Sequence, residues 1–143
     1  MIGDEVIQAA IIAKLKELAP FGRVTSEEIR EVEWQGASFS YPNIRVDLEE
    51  NDFSLDEQGN CSALQYVDFS IYVFSEERSS KECSQIKTEI QNALIGVGFS
   101  NTSLGVKFMN IRMVKGGNVP AIRQDARTWR SQVKLTSLVS RVN

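Results

Sequence analysis

The chain has 143 residues, with 16 lysines and arginines against 19 aspartates and glutamates, so its net charge is −3. This length suits one domain covering residues 1–143, because a single hydrophobic core typically serves about 100–150 residues. The acidic balance argues against a dedicated nucleic-acid binder, which usually carries a basic face. No apolar run approaches the ~20 residues that cross a bilayer, and the acidic N-terminus lacks the basic start of a secretory signal. We therefore expect no membrane association and folding in a cytoplasm.

The residue types present exclude most catalytic machinery. There is no histidine, which removes Ser-His-Asp and Cys-His relays and His-ligated zinc sites. Cys61 and Cys83 lack CxxC spacing, and neither phosphate-binding glycine motif occurs. The acidic run from Asp47 to Asp52, with Asp56-Glu57 beyond it, lacks the residue order of a calcium loop. We expect no enzyme activity, no metal and no cofactor.

The N-terminal segment is predicted to form a helix from Asp4 to about Leu18. Its apolar residues recur at intervals of three and four, the pattern of a helix with one buried face: Val6, Ile7, Ala10, Ile11, Leu15 and Leu18. Asp4 can cap its start, and Pro20 and Gly22 end it. Residues 19–40 are ambiguous, with a short exposed strand suggested near Glu31–Trp34 and Phe39 in a polar insert.

Two alternating segments predict a β-hairpin. Tyr41–Leu48 places Ile44, Val46 and Leu48 on one face, and Ala63–Phe74 places alternate apolar residues on one face. Glu49–Asn60 between them is expected to be an exposed acidic tip. That tip carries Phe53 and Leu55 among its acids.

A second helix and a second hairpin complete the chain. Ser79–Glu82 has the sequence of a capping box, and an apolar stripe follows it: Cys83, Ile86, Ile90, Ala93 and Leu94. Gly96 and Gly98 end this helix. Strands are predicted at Val106–Val114, with a bulge near Asn110, and at Thr128–Val139. Lys115–Arg127 between them is expected to be a long basic loop.

The economical fold for these elements is α+β. We predict a two-layer sandwich, a mostly antiparallel four- to five-stranded sheet with two helices packed on one face. The acidic tip and the basic loop have opposite charge and no chemistry to perform, which suits head-to-tail contacts between identical subunits. The residues assigned to such an interface are Asp47, Glu49, Glu50, Asp52, Phe53, Leu55, Arg123 and Arg127.

From Tyr41 onward the chain resembles the tail terminator (tail completion) proteins of long-tailed bacteriophages. The matching order is an N-terminal helix, a strand that opens with Tyr41-Pro42-Asn43-Ile44, and a strand that ends in Ser70-Ile71-Tyr72-Val73-Phe74. A short polar turn, the helix with Ile86, Ile90, Ala93 and Leu94, and a closing hairpin follow. That hairpin ends in the segment from Asp125 to Leu135. Residues 19–40 depart from the family pattern.

The resemblance implies a structural virion protein in the tail-neck region, assembled in the host cytoplasm. Such proteins form a homohexameric ring on the head-proximal end of the tail tube, end tube polymerisation and offer the joining surface for the head connector. The implied partners are copies of itself, the tail tube protein and the connector or neck protein. DNA would pass through the lumen without specific binding, which suits a chain of weak negative charge. The interface residues above would then face neighbouring subunits or the tube.

Two other readings remain. The chain could be another head-tail joining, neck or tail-tube-like protein of the same assembly, in which case a tube subunit would polymerise rather than close into rings. It could also be a small intracellular adaptor that binds a peptide strand at an exposed sheet edge. An adaptor of that kind predicts a monomer or a dimer in solution.

Overall fold

A computed structural model describes residues 2–33, 40–55 and 61–142, with the backbone alone described at 54–55 and 61–63. The elements in chain order are α1 Asp4–Leu18, a 3-10 turn Ser26–Glu28, β1 Ile29–Glu31, β2 Asn43–Leu55, β3 Cys61–Ser75, α2 Lys81–Leu94, β4 Phe99–Asn101, β5 Val106–Arg123 and β6 Trp129–Arg141. The strands form one sheet in the order β1-β2-β3-β6-β5-β4. Every neighbouring pair is antiparallel except β1 and β2.

The sheet has six strands, so the prediction of four or five was wrong in number and right in class. The two additional strands are three residues long and border the sheet, β1 beside β2 and β4 beside β5. Three residues are too few to show an alternating pattern in the sequence. The strand suspected near Glu31–Trp34 begins earlier, at Ile29, and Trp34 and Phe39 fall outside the described residues.

The acidic segment after Leu48 is strand, not hairpin tip. β2 continues to Leu55, with Asp52 opposite Tyr66 and Phe53 opposite Gln65. A bulge between Leu48 and Glu50 shifts the register without ending the pairing. Charged residues are tolerated here because one face of an antiparallel sheet can meet water. Residues 56–60 lie outside the described part of the chain.

The basic segment after Val114 is also mostly strand. β5 continues to Arg123, and the turn to β6 is closed by the Gln124 amide donating to the Thr128 carbonyl oxygen at 2.9 Å. Register shifts interrupt β5, which is why its alternation is hidden in the sequence. The predicted bulge near Asn110 is confirmed by a φ of 57° at that residue. At a second shift, a Cβ on Gly117 would lie 2.7 Å from the Lys134 carbonyl oxygen, so glycine is required there.

One hydrophobic core joins both helices to a single face of the sheet. The helices contribute most of the residues that the sequence pattern indicated: Ile7, Ala10, Ile11, Leu15, Cys83, Ile86, Ile90 and Leu94. The prediction was wrong for Leu18, which is 37% exposed at the end of α1. The sheet contributes alternate residues of its central strands: Val67, Phe69, Ile71, Val73, Val133, Leu135 and Val139. Burying a large apolar side chain stabilises a fold by about 1.5–3 kcal/mol. Packing on one side of the sheet is therefore the main source of stability.

The start of α2 differs from the predicted capping box. Ser80 is the N-cap residue and makes no side-chain capping bond, while Ser79 Oγ accepts a long 3.4 Å bond from the Lys81 amide. The Glu82 carboxylate turns instead to Arg23 Nε at 2.6 Å and Ser75 Oγ at 2.8 Å. Burial raises the pKa of Glu82, but these two hydrogen bonds outweigh it and lower the pKa below its usual 4.5. A tertiary contact has replaced the local one.

The start of α1 also lacks the predicted side-chain cap. Asp4 is the first helical residue and Gly3 takes the N-cap position without a side-chain bond. Asp4 and Glu5 in the first turn still favour the positive end of the helix dipole. The bounds Asp4–Leu18 agree with the prediction, because the apolar stripe and Pro20 together set the length.

Replacing Ile90 with alanine should lower the free energy of unfolding by about 2–5 kcal/mol, because the side chain is fully buried between α2 and the sheet. Chemical denaturation with a two-state fit measures the change. The neighbouring Glu89→Ala variant, altered at an exposed position, is the control and should change stability little. An effect at Ile90 as small as that of the control would contradict the described core.

Replacing Glu82 with glutamine should destabilise the protein by roughly 1–3 kcal/mol, because a partly buried charged acceptor is lost. Since the folded-state pKa is lowered, the stability that Glu82 contributes is present above pH 4.5 and is lost as the pH falls through the folded pKa. Thermal unfolding of wild type and variant should therefore differ at neutral pH and converge in acid. The Ser79→Ala variant should unfold at nearly the wild-type temperature. A larger loss of stability in Ser79→Ala than in Glu82→Gln would show that the predicted capping box forms after all.

Candidate assembly surface

The side of the sheet away from the helices is called here the open face. Side chains alternate along a strand, so the neighbours of the buried core residues point to this side, and the strand register extends it across the sheet. Its principal residues are Arg45, Asp47, Glu49, Glu50 and Asp52 on β2; Tyr66, Asp68, Ser70, Tyr72 and Phe74 on β3; Arg130, Gln132, Lys134 and Thr136 on β6; and Lys107 and Arg112 on β5. The described helices leave this face uncovered.

Charge is divided across the strands of the open face. The acidic half comprises Asp47, Glu50, Asp52 and Asp68 on β2 and β3. The basic half comprises Lys107, Arg112 and Arg130 on β5 and β6. Arg45 lies among the acids but is 2% exposed, and its guanidinium donates to the Glu28 carbonyl oxygen at 2.9 Å. The open face is therefore negatively charged on the side of β2 and β3 and positively charged on the side of β5 and β6.

A hydrogen-bonded seam joins the two halves. The Glu49 carboxylate accepts a hydrogen bond from Ser70 Oγ and forms an ion pair with Lys134 Nζ at 3.0 Å. Gln132 Nε2 donates to Ser70 Oγ at 3.0 Å, which fixes the hydroxyl between its neighbours. The Glu49 carboxylate raises the pKa of Lys134. This seam spans β2, β3 and β6 and holds their open-face side chains in one arrangement.

The acidic half contains more negative charge than its surroundings neutralise. Glu50 faces Asp68 across the β2–β3 ladder, and hydrogen bonding to that carboxyl with repulsion from its charge raises the pKa of Glu50. Asp68 Oδ1 is buried and accepts nothing from the N–H and hydroxyl groups of the described residues. Burial and the neighbouring Glu49 raise the pKa of Asp47 as well. The raised pKa values of Asp47 and Glu50 mean that a nearby proton or cation would stabilise this half of the face.

Aromatic side chains occupy the middle of the open face, along β3. Tyr72 and Phe74 stack with ring centroids 6.4 Å apart, and Arg130 Cζ lies 5.7 Å from the Tyr72 centroid. The Arg130 Nε atom is buried and has no hydrogen-bond acceptor within the described part of the chain. Tyr66, further along the strand, is 37% exposed. The face thus combines partly exposed aromatic rings with charge on both sides.

The predicted interface residues are only partly brought together. Asp47, Glu49, Glu50 and Asp52 all lie on the open face, as one patch on β2. Phe53 follows them in sequence and points to the helix side, where it is 36% exposed. The backbone of Leu55 pairs with that of Cys61, the last pair of the β2–β3 ladder, and its side chain lies outside the described parts.

Arg123 and Arg127 lie at the end of the sheet opposite to the β2–β3 hairpin. Arg123 is paired with Trp129 and its Cζ lies 4.7 Å from that ring. Arg127 is in the β5–β6 turn, where its amide donates to Asp125 Oδ1 at 2.8 Å. One subunit therefore does not bring the arginines to its own acids. The nearer cations, Lys107 and Arg112, were missed because bulges hide the register of β5.

The residues that the structure describes, 2–33, 40–55 and 61–142, lack two kinds of feature. No cluster of three or more Cys, Asp or Glu side chains there is arranged to hold a metal ion. No helix in these ranges combines the length and apolar character needed to cross a membrane.

Replacing Glu50 with glutamine should raise thermal stability at neutral pH. The raised pKa of Glu50 means that its protonated form contributes stability in acid, which is lost as the pH rises through the folded pKa. Glutamine keeps a hydrogen-bond donor at every pH, so the advantage of the variant should shrink on acidification. Glu49→Gln is the matched control and should instead lose stability, since Glu49 is paired with Lys134. A Glu50→Gln protein less stable than wild type at neutral pH would contradict this arrangement.

Comparison with known proteins gives a structural match only. No protein-family model matches the chain, and no match is found among curated proteins. Among solved structures, the fold is similar to a chain from the virion of a native gene transfer agent particle, with a TM-score of 0.67 and 16% sequence identity. The match covers 93% of this chain and 93% of that one. At this identity, the likeness establishes a shared fold over almost the whole length.

Proposed function

We propose that this chain is a structural virion protein that forms a ring, homohexameric by family resemblance, on the head-proximal end of a tail tube. The ring ends tube polymerisation and offers the joining surface for the head connector. The observation that carries this proposal is the near-full-length fold match to a virion chain. The order of helices and strands from Tyr41 to Leu135, which resembles the tail terminator family, supports the finer assignment.

The charge distribution supports a ring. A heterologous contact joins unlike surfaces of identical subunits, and it closes only if the rotation between subunits returns to the start. The open face carries unlike halves, and the β5–β6 turn carries further positive charge at Arg123 and Arg127. A net charge of −3 also gives a lumen little tendency to hold the phosphate backbone of DNA. In this proposal the protein performs no catalysis and is located in the tail-neck region of a virion.

Electron microscopy of the purified protein distinguishes the proposed ring from its rivals. Closed rings that do not stack indefinitely are expected from a terminator. Extended tubes would indicate a tube subunit instead, and a monomer or dimer at every concentration, with no binding to tube ends, would favour an adaptor.

Reversing two charges at the β5–β6 turn, Arg123→Glu with Arg127→Glu, should impair capping while the subunit stays folded. Exposed ion pairs are worth only about 0–1 kcal/mol each, so single changes should be mild, whereas the double reversal places like charges together. Over-long or ragged tails, seen by electron microscopy of tubes assembled with the variant, are the expected result. Lys16→Glu with Lys81→Glu, at exposed helix positions, is the control of equal charge change. Tails of normal length with the arginine variant would remove the turn from the interface.

A further inference from the structure

We propose that the open face is the contact between neighbouring copies of this chain, with the acidic half of one copy docked against the basic half of the next. This inference rests on the ring of the proposed function and names the surface that closes it. In this contact between subunits, Lys107, Arg112 and Arg130 are the cations that meet the acidic patch, while Arg123 and Arg127 are left to the contact with the tube.

The charges of the open face call for a partner because one subunit satisfies few of them. Among the described residues, the ion pair within this face is Glu49 with Lys134, at 3.0 Å. The acids Glu50 and Asp68 face each other, and the neighbouring carboxyl raises the pKa of Glu50. Lys134 lies near both acids, but its ion pair is with Glu49. A cation from outside the subunit would reverse that shift.

The composition of the open face is that of an interface centre. Tyr66, Tyr72 and Phe74 lie along β3 between the halves, and Arg130 stands over Tyr72. Aromatic residues and arginine are enriched at protein interfaces and dominate binding energy there. In an isolated subunit Tyr66 is 37% exposed, while Tyr72 and Phe74 are half-buried, so the row meets water over part of its area.

A second copy fits this face better than an unrelated partner does, because the two complementary halves lie on one surface. A six-stranded sheet twists from strand to strand, so its two halves face different directions and one contact through unlike halves leaves an unfilled half at each end of the pair. The unfilled halves are complementary, so subunits add until the ring closes. A nucleic acid would be repelled by the acidic half.

Charge reversal with mixing tests this inference. The acidic-half variant is Glu50→Lys with Asp52→Lys, and the basic-half variant is Lys107→Glu with Arg112→Glu; all four side chains are exposed. Each variant alone places like charges in every contact, so its association should weaken by about 100-fold or more. An equal mixture should recover association, because every contact between unlike variants again joins opposite charges in an alternating ring.

Control variants separate this effect from a change in net charge. Glu17→Lys with Glu89→Lys matches the acidic-half variant, and Lys16→Glu with Lys81→Glu matches the basic-half variant, all at exposed helix positions. Both controls should associate as wild type does. Sedimentation velocity over a range of concentrations measures association, native mass spectrometry counts the two variants in mixed rings, and circular dichroism confirms folding.

The outcomes separate this inference from the proposed function. Loss of association in each variant, with recovery in mixed rings holding equal numbers of both, supports the open face as the contact. If wild type forms rings and either variant alone forms them equally well, or if folded variants fail to recover on mixing, the inference is overturned and the capping ring stands. A wild-type chain that neither forms rings nor caps tubes overturns both.

Discussion

Burial of one side of the sheet is the constraint on which the rest of this structure depends. Both helices press their apolar stripes onto the same face, where Phe69 and Ile71 are fully buried. Because strand side chains alternate, every core residue obliges its neighbours to point to the other side. The composition of the open face is thus a consequence of how the core is built.

The open face resolves part of its electrostatics internally and leaves part unresolved. Glu49, Ser70 and Lys134 form a seam in which charge and hydrogen bonding are satisfied. Glu50, the residue after Glu49 in β2, lies opposite Asp68, and that carboxyl raises the pKa of Glu50. Glu49 and Glu50 both point to the open face, because the bulge between Leu48 and Glu50 turns two successive acids to the same side. The pair of carboxylates Glu50 and Asp68 does not stabilise an isolated subunit, whereas a cation from a neighbouring subunit would make the pair favourable.

Several local patterns in the sequence predicted the tertiary role of their residues, and several did not. The sequence predicts the apolar stripes of both helices, apart from Leu18, and the bulge at Asn110, since each is encoded within a few residues. Glu82 was read as a capping residue, but Arg23, distant in sequence, supplies a stronger partner. The sequence predicts a hairpin tip at Glu49–Asn60 and a loop at Lys115–Arg127, because charge and bulges obscure the alternation that marks a strand.

Periodicity alone predicts the two helices, the four long strands, the buried face of each and the α+β class, because it records which side of an element meets the core. The two short border strands, the full lengths of β2 and β5, and the distance between the acids and Arg123 or Arg127 emerge only in the folded chain. Those features depend on which strand pairs with which and in what register. Pairing is set by partners far along the chain and by bulges whose effect appears only when two strands are aligned.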